Sequence, residues 1–105
     1  MTSEARKIYD LAIRTFGEDH QERRVLEEMS ELSIEILKKE RGRRDRVAMA
    51  SEVADVLNTI DQLIIINNIP HLVQEMRIKK LRKLEDEIHD EIRKREKGVD
   101  AYGQG

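Results

Sequence analysis

Apolar residues recur every three or four positions along most of the chain, and no segment reads as a half-buried strand. Over about 3–16, Ile8, Leu11, Ala12, Thr15 and Phe16 share one helical face, and Gly17 supplies a stop. Over about 20–41, Val25, Met29, Leu32 and Ile36 form a stripe that ends at Gly42. Over about 45–67, Met49, Val53, Val56, Ile60, Leu63 and Ile64 continue the pattern as far as "NNIP". The run Ile64–Ile65–Ile66 predicts burial on more than one face, with Ile65 or Ile66 at a subunit contact. Pro70, the only proline, opens a fourth helix as a first-turn residue. That helix carries Leu72, Met76, Ile78, Leu81, Leu84, Ile88 and Ile92 and is expected to stop at Gly98. The stretch 99–105 reads as a flexible tail.

Four helical segments joined by short connections predict an all-α four-helix bundle, with the two central helices antiparallel. At 105 residues the chain accommodates one domain, expected over 1–98. Apolar residues make up 38% of the chain and aromatics only 3%, so the core of a lone copy is thin. A homo-oligomer, dimer or tetramer, is therefore expected.

Charge narrows the choice of partners. Lys+Arg (20) and Asp+Glu (22) nearly cancel to a formal net charge of -2, so no global field attracts nucleic acid. Stacking aromatics for single strands are almost absent as well. With no cysteine, disulfides, thiolate metal sites and a Cys nucleophile are excluded. "LIIIN" falls far short of a membrane span, and "MTSEARKIYD" lacks the apolar run of a signal peptide. A cytoplasmic protein without a membrane partner is expected.

Two acidic pairs lie beside the apolar stripes. In "LEEMSEL" (26–32) Glu28 and Glu31 flank Val25, Met29 and Leu32, and in "EVADVLNTID" (52–61) Glu52 and Asp55 flank Val53, Val56 and Ile60. Residues three apart on a helix lie roughly 60° apart on the same side. With Glu52 as origin, Val56 and Leu63 fall within about 20–40° of it and Asp55 just outside. If the two stripes face each other, four carboxylates converge at the rim of one core. Their repulsion and lost hydration require compensation. A hard divalent cation such as Mg²⁺ supplies it with oxygen ligands; Arg or Lys partners, plentiful here, supply it otherwise. A single Glu-x-x-Glu is commonplace in a chain with 40% charged residues, and "KLEDEIHDEIRKRE" (83–96) reads as a solvated face. Two pairs on consecutive helices are less ordinary.

"LEEMSEL" followed by "SEVADVL" resembles the EExxE and ExxD signature of the MazG-type all-α nucleoside triphosphate pyrophosphohydrolases. The likeness extends over roughly residues 7–85. It implies a bundle with an acidic metal site between two central antiparallel helices, completed by oligomerisation. It implies Glu28, Glu31, Glu52 and Asp55 as Mg²⁺ ligands, with Mn²⁺ able to substitute, and Glu27 as a nearby auxiliary. The implied reaction cleaves the α–β bond of a nucleoside triphosphate, with a dNTP or a non-canonical NTP among the candidates, to the monophosphate and pyrophosphate. Metal ions clamp phosphate oxygens and activate water in such chemistry, and no side-chain nucleophile is needed.

The remaining candidates each have an ordinary reading beside the functional one. In the family, a Lys and an Arg one turn apart on the last helix bind phosphate; in "RIKKLRKL" (77–84) the nearest match is Lys79 with Arg82 or Lys83, and a basic solvated face is the alternative. "KKERGRRDR" (38–46), between the acidic helices, reads as a lid over phosphates or a plain charged turn. Asn58 continues the Glu52–Asp55 row, and Gln21 resembles a base-proximal position; both are also ordinary polar residues. His20, His71 and His89 have no ligand spacing, and Tyr9 and Phe16 read as core or interface. Two competitors stand beside the leading reading. One is the related phosphoribosyl-ATP pyrophosphohydrolase. The other is a non-catalytic helical oligomerisation protein, which gains nothing from four acids at a core edge.

Overall fold

The computed structural model describes the backbone of residues 1–102 and the side chains of residues 1–98. Among them there are four α-helices and no strand: α1 (Ser3–Phe16), α2 (Glu18–Glu40), α3 (Arg46–Asn67) and α4 (Pro70–Tyr102). The chain divides into two units, residues 1–69 and the helix from Pro70 onward, and each is described by itself.

Local chemistry sets the boundaries. The Thr2 hydroxyl accepts from the Ala5 amide at 3.1 Å and caps α1. Gly17, at φ +94, donates its N–H to the Ile13 carbonyl and accepts from the Gln21 amide. One glycine thus closes α1 and opens α2, so α2 begins at Glu18 rather than near residue 20. The Asp45 carboxylate accepts from the Ala48 amide at 3.0 Å and caps α3. Asn68 (φ 51, ψ 51) ends α3 in the left-handed region. There the Asn68 and Ile69 amides donate back to the Ile65 and Ile64 carbonyls, in the manner of a Schellman turn.

Within the first unit, α2 pairs chiefly with α3, and α1 packs against both. Glu28 meets Asp55 and Gln21 meets Gln62, so the α2–α3 pair is antiparallel. The α2 side of the seam is Gln21, Val25, Glu28, Leu32 and Glu35, a 4-3-4-3 spacing that follows one helix face. Thr59 and Gln62 answer from α3. The seam is therefore mostly polar. Met29 and Ile36, expected on the buried stripe, are 48% and 44% exposed. They stand one residue, about 100°, round from Glu28 and Glu35, and turning those two acids inward swings them outward. Tyr9 and Val25 are the only buried apolar side chains among the described residues, while Leu26, Ile34, Leu37 and Leu57 stay exposed.

Ile65 and Ile66 are half-buried and line a cleft with Asp10, Ile13 and Arg14 of α1. The helix α4, 33 residues and about 50 Å long, runs past Gly98 to Tyr102. An interior glycine costs a helix only about 1 kcal/mol, too little to stop one of this length. The tail expected from residue 99 is thus helical as far as Tyr102, and the rest of it lies outside the described residues. Exposed ion pairs Lys83–Glu87 (4.0 Å) and Arg95–Glu91 (3.3 Å) run along its surface, as a solvated face requires.

Candidate metal centre

Two consecutive helices bring four carboxylates together. One oxygen from each of Glu28, Glu31, Glu52 and Asp55 lies within 4.8 Å of the others. Each pair occupies i and i+3 of its helix, so a single antiparallel contact is enough to make the foursome. Glu28 is buried at 4% exposure, Glu52 is half-buried, and Glu31 and Asp55 are exposed. The group therefore has an inner side in the seam and an outer side open to solvent.

The inner side is electrostatically uncomfortable. Glu28 Oε1 forms an ion pair with Arg24 Nη2 at 2.8 Å, but its Oε2 is buried and has no partner. Glu52 Oε2 is buried and unpartnered too. Burial pushes the Glu28 carboxyl above its usual range; Glu31 and Asp55 add to the shift and Arg24 opposes it. Lost hydration likewise raises Glu52, followed by the charges of Glu31, Asp55 and Glu35. Two orphaned carboxylate oxygens facing two further acids are the donor set a hard cation takes. All donors are oxygen, and their spread is close to the span of opposed ligands about an ion with bonds of roughly 2.0–2.6 Å.

The other sequence-predicted residues fall in different places. Glu27 is exposed and tied to Arg24 Nη1 at 3.1 Å, so one guanidinium bridges Glu27 and Glu28. Gln21 is buried, and its Nε2 donates to Gln62 Oε1 at 2.7 Å. Asn58 Oδ1 accepts from the Tyr9 hydroxyl at 2.9 Å, and Asp61 Oδ2 lies 3.3 Å from the same hydroxyl. Burial, followed by the Asp61 charge, raises the Tyr9 pKa. Gln21 and Asn58 thus tie the three helices of the first unit together. His20 lies against Gln21 and stacks on Phe16 with ring centroids 5.3 Å apart, both rings at the surface. Lys79, Arg82 and Lys83 are exposed on α4.

Four residues that matter here escape a search for acidic motifs. Arg24 stands four before Glu28, the spacing for a helical ion pair, and that spacing could have found it. Glu35 is buried seven residues after Glu28, on the same face, and pairs only with Lys38 Nζ at 3.5 Å. Thr59 and Gln62 lie in the seam without any apolar periodicity to announce them. Comparisons of the chain with protein-family models, with curated proteins and with solved structures give no match.

Proposed function

We propose that the protein is a Mg²⁺-dependent nucleoside triphosphate pyrophosphohydrolase, with Mn²⁺ able to replace Mg²⁺, that works as a homo-oligomer. The observation that carries the reading is the convergence of Glu28, Glu31, Glu52 and Asp55 with two buried, unpartnered carboxylate oxygens. The resemblance of EExxE and then ExxD to the signature of the MazG-type pyrophosphohydrolases suggests the reaction. Glu28 and Glu52 hold the ion from the seam, and Glu31 and Asp55 hold it from the solvent side, where a phosphate chain has room to approach. Bound there, the ion neutralises phosphate charge and makes a coordinated water more acidic. Arg24 fixes one Glu28 oxygen and leaves the other free to act as a ligand. A carboxylate not fully used as a ligand can accept the proton of the attacking water.

The test is pyrophosphate release from a panel of canonical and modified NTPs and dNTPs, with Mg²⁺ and with EDTA. Release from one or a few nucleotides that EDTA abolishes is expected. Equal release with EDTA, or none across the panel, counts against the reading.

A further inference from the structure

At the turn between α2 and α3 the first unit contains a cavity of about 330 Å³. Lys39, Arg44 and Arg46 form its cationic wall, and Met49, Ala50 and Val53 form an apolar floor. Its two acidic lining residues are already engaged: Asp45 caps α3 through the Ala48 amide, and Glu35 pairs with Lys38. Lys39, Arg44 and Arg46 form no ion pair among the described residues. Three cations against two carboxylates leave the lining with a net positive charge, and the arginines and Lys39 are free to turn toward an anion.

The cavity also adjoins the carboxylates. Val53 follows Glu52 directly, Met49 precedes it by one helical turn, and Glu35 is close enough for its charge to act on the Glu52 carboxyl. A chain of negative groups that begins at the four acids can thus continue into a basic pocket within the same α2–α3 pair.

We infer that this cavity is the polyphosphate subsite: Arg44 and Arg46, with Lys39, bind the outer phosphates of the substrate while the carboxylates handle the bond that breaks. The inference rests on the pyrophosphohydrolase reading and adds to it the residues that hold the departing half. Guanidinium groups suit the role because they grip phosphate oxygens in pairs and remain charged throughout. When water adds to the α-phosphorus, the bond to the bridging oxygen breaks and its electron pair leaves with the pyrophosphate. Arg44 and Arg46 meet that developing charge.

The experiment is calorimetric titration of the full chain with inorganic tripolyphosphate in Mg²⁺, which reads binding with no turnover needed. Arg44→Gln/Arg46→Gln is expected to weaken binding about tenfold or more. Arg43→Gln, on the same turn but outside the cavity, is expected to bind as the parent does. Arg44→Lys/Arg46→Lys keeps the charges and is expected to restore part of the affinity, which separates a binding defect from a folding defect. Unchanged binding in the Gln double variant overturns the subsite and leaves the hydrolase reading intact. Binding lost in that variant, in a chain that hydrolyses no nucleotide, upholds the anion site and removes the hydrolase reading. An equal loss with Arg43→Gln reduces the effect to general surface charge and also overturns the subsite.

Discussion

Arg24 Nη2 stands 2.8 Å from Glu28 Oε1, and it is the one cation within ion-pairing reach of Glu28 among the described residues. That single contact satisfies half of Glu28 and leaves the other half, Oε2, to an ion or to a proton.

Replacing Arg24 with Gln is therefore expected to act in opposite directions on the metal-free and metal-bound protein. Without divalent ion, folding stability at neutral pH falls by about 1 kcal/mol, a modest figure because nearly half of Arg24 is in water. With its neighbouring positive charge gone, the carboxylate group binds Mg²⁺ severalfold more tightly. Denaturant titrations with and without Mg²⁺ read both effects, and a variant that loses Mg²⁺ affinity would contradict the assignment of Glu28 as a ligand.

Glu52→Gln keeps the shape of the side chain and removes one ligand charge. Turnover is expected to fall by about a hundredfold or more, and Mg²⁺ should no longer raise the melting temperature. The metal-free variant should melt no lower than the parent, because a charge placed among Glu31, Asp55 and Glu35 has been removed. Normal hydrolysis by this variant would sink the metal-site assignment.

Acid should favour the metal-free fold. Glu28 and Glu52 have folded pKa values above their ordinary 4.5, so the native state holds protons that the unfolded chain has already released. Their contribution is fully present below about 4.5 and drains away as pH rises through the raised folded values. Relative to a Glu28→Gln/Glu52→Gln double variant, the parent's denaturation midpoint should decline across that window. Saturating Mg²⁺ should reverse the trend, because the ion requires the deprotonated carboxylates; without Mg²⁺, a midpoint that climbs would refute the electrostatic account.

The amide pair in the seam yields a stability prediction independent of metal. Gln21→Leu leaves the buried Gln62 side chain without its 2.7 Å partner and is expected to cost about 1–3 kcal/mol. Gln21→Leu/Gln62→Leu removes both amides and should cost less than the sum of the two single changes. A double-mutant cycle by urea denaturation measures the difference, and strict additivity would show that the pair is not coupled.

Association is the last expectation. A chain that buries only Tyr9 and Val25 among its described apolar side chains, and exposes Leu26, Met29, Ile34, Leu37, Val53 and Leu57, gains by covering that surface. Light scattering is expected to give a dimer or tetramer, and a monodisperse monomer at micromolar concentration would defeat the idea.

The sequence made the helices plain and half concealed the seam. Three-and-four spacing, Gly17, Gly42 and the "NNIP" break located four helices to within about two residues at most ends, and the acid pairs indicated which carboxylates would meet. Hydrophobic periodicity misled where burial is polar. It chose Met29 and Ile36 for the interior because they are apolar, whereas α2 turns Gln21, Glu28 and Glu35 inward. A one-residue change of phase, about 100° on a helix, separates the two readings, and only the partner helix decides between them. Gln62 and Thr59 carry no periodic signal at all, since their role comes from what stands opposite.

The Gln21–Gln62 pair also acts as a register pin. If α3 slid along α2 by one turn, Ile66 would take the place of Gln62 and leave the Gln21 amide facing hydrocarbon. The same slip would set Thr59 where Asp55 stands and Val56 where Glu52 stands, and the carboxylate foursome would dissolve. Two neutral amides, about two to three helical turns from the acids in sequence, thus select the one alignment in which the acids can act together. A library randomised at positions 21 and 62 should lose ion-dependent stabilisation wherever the pair cannot re-form, even with every acidic residue intact.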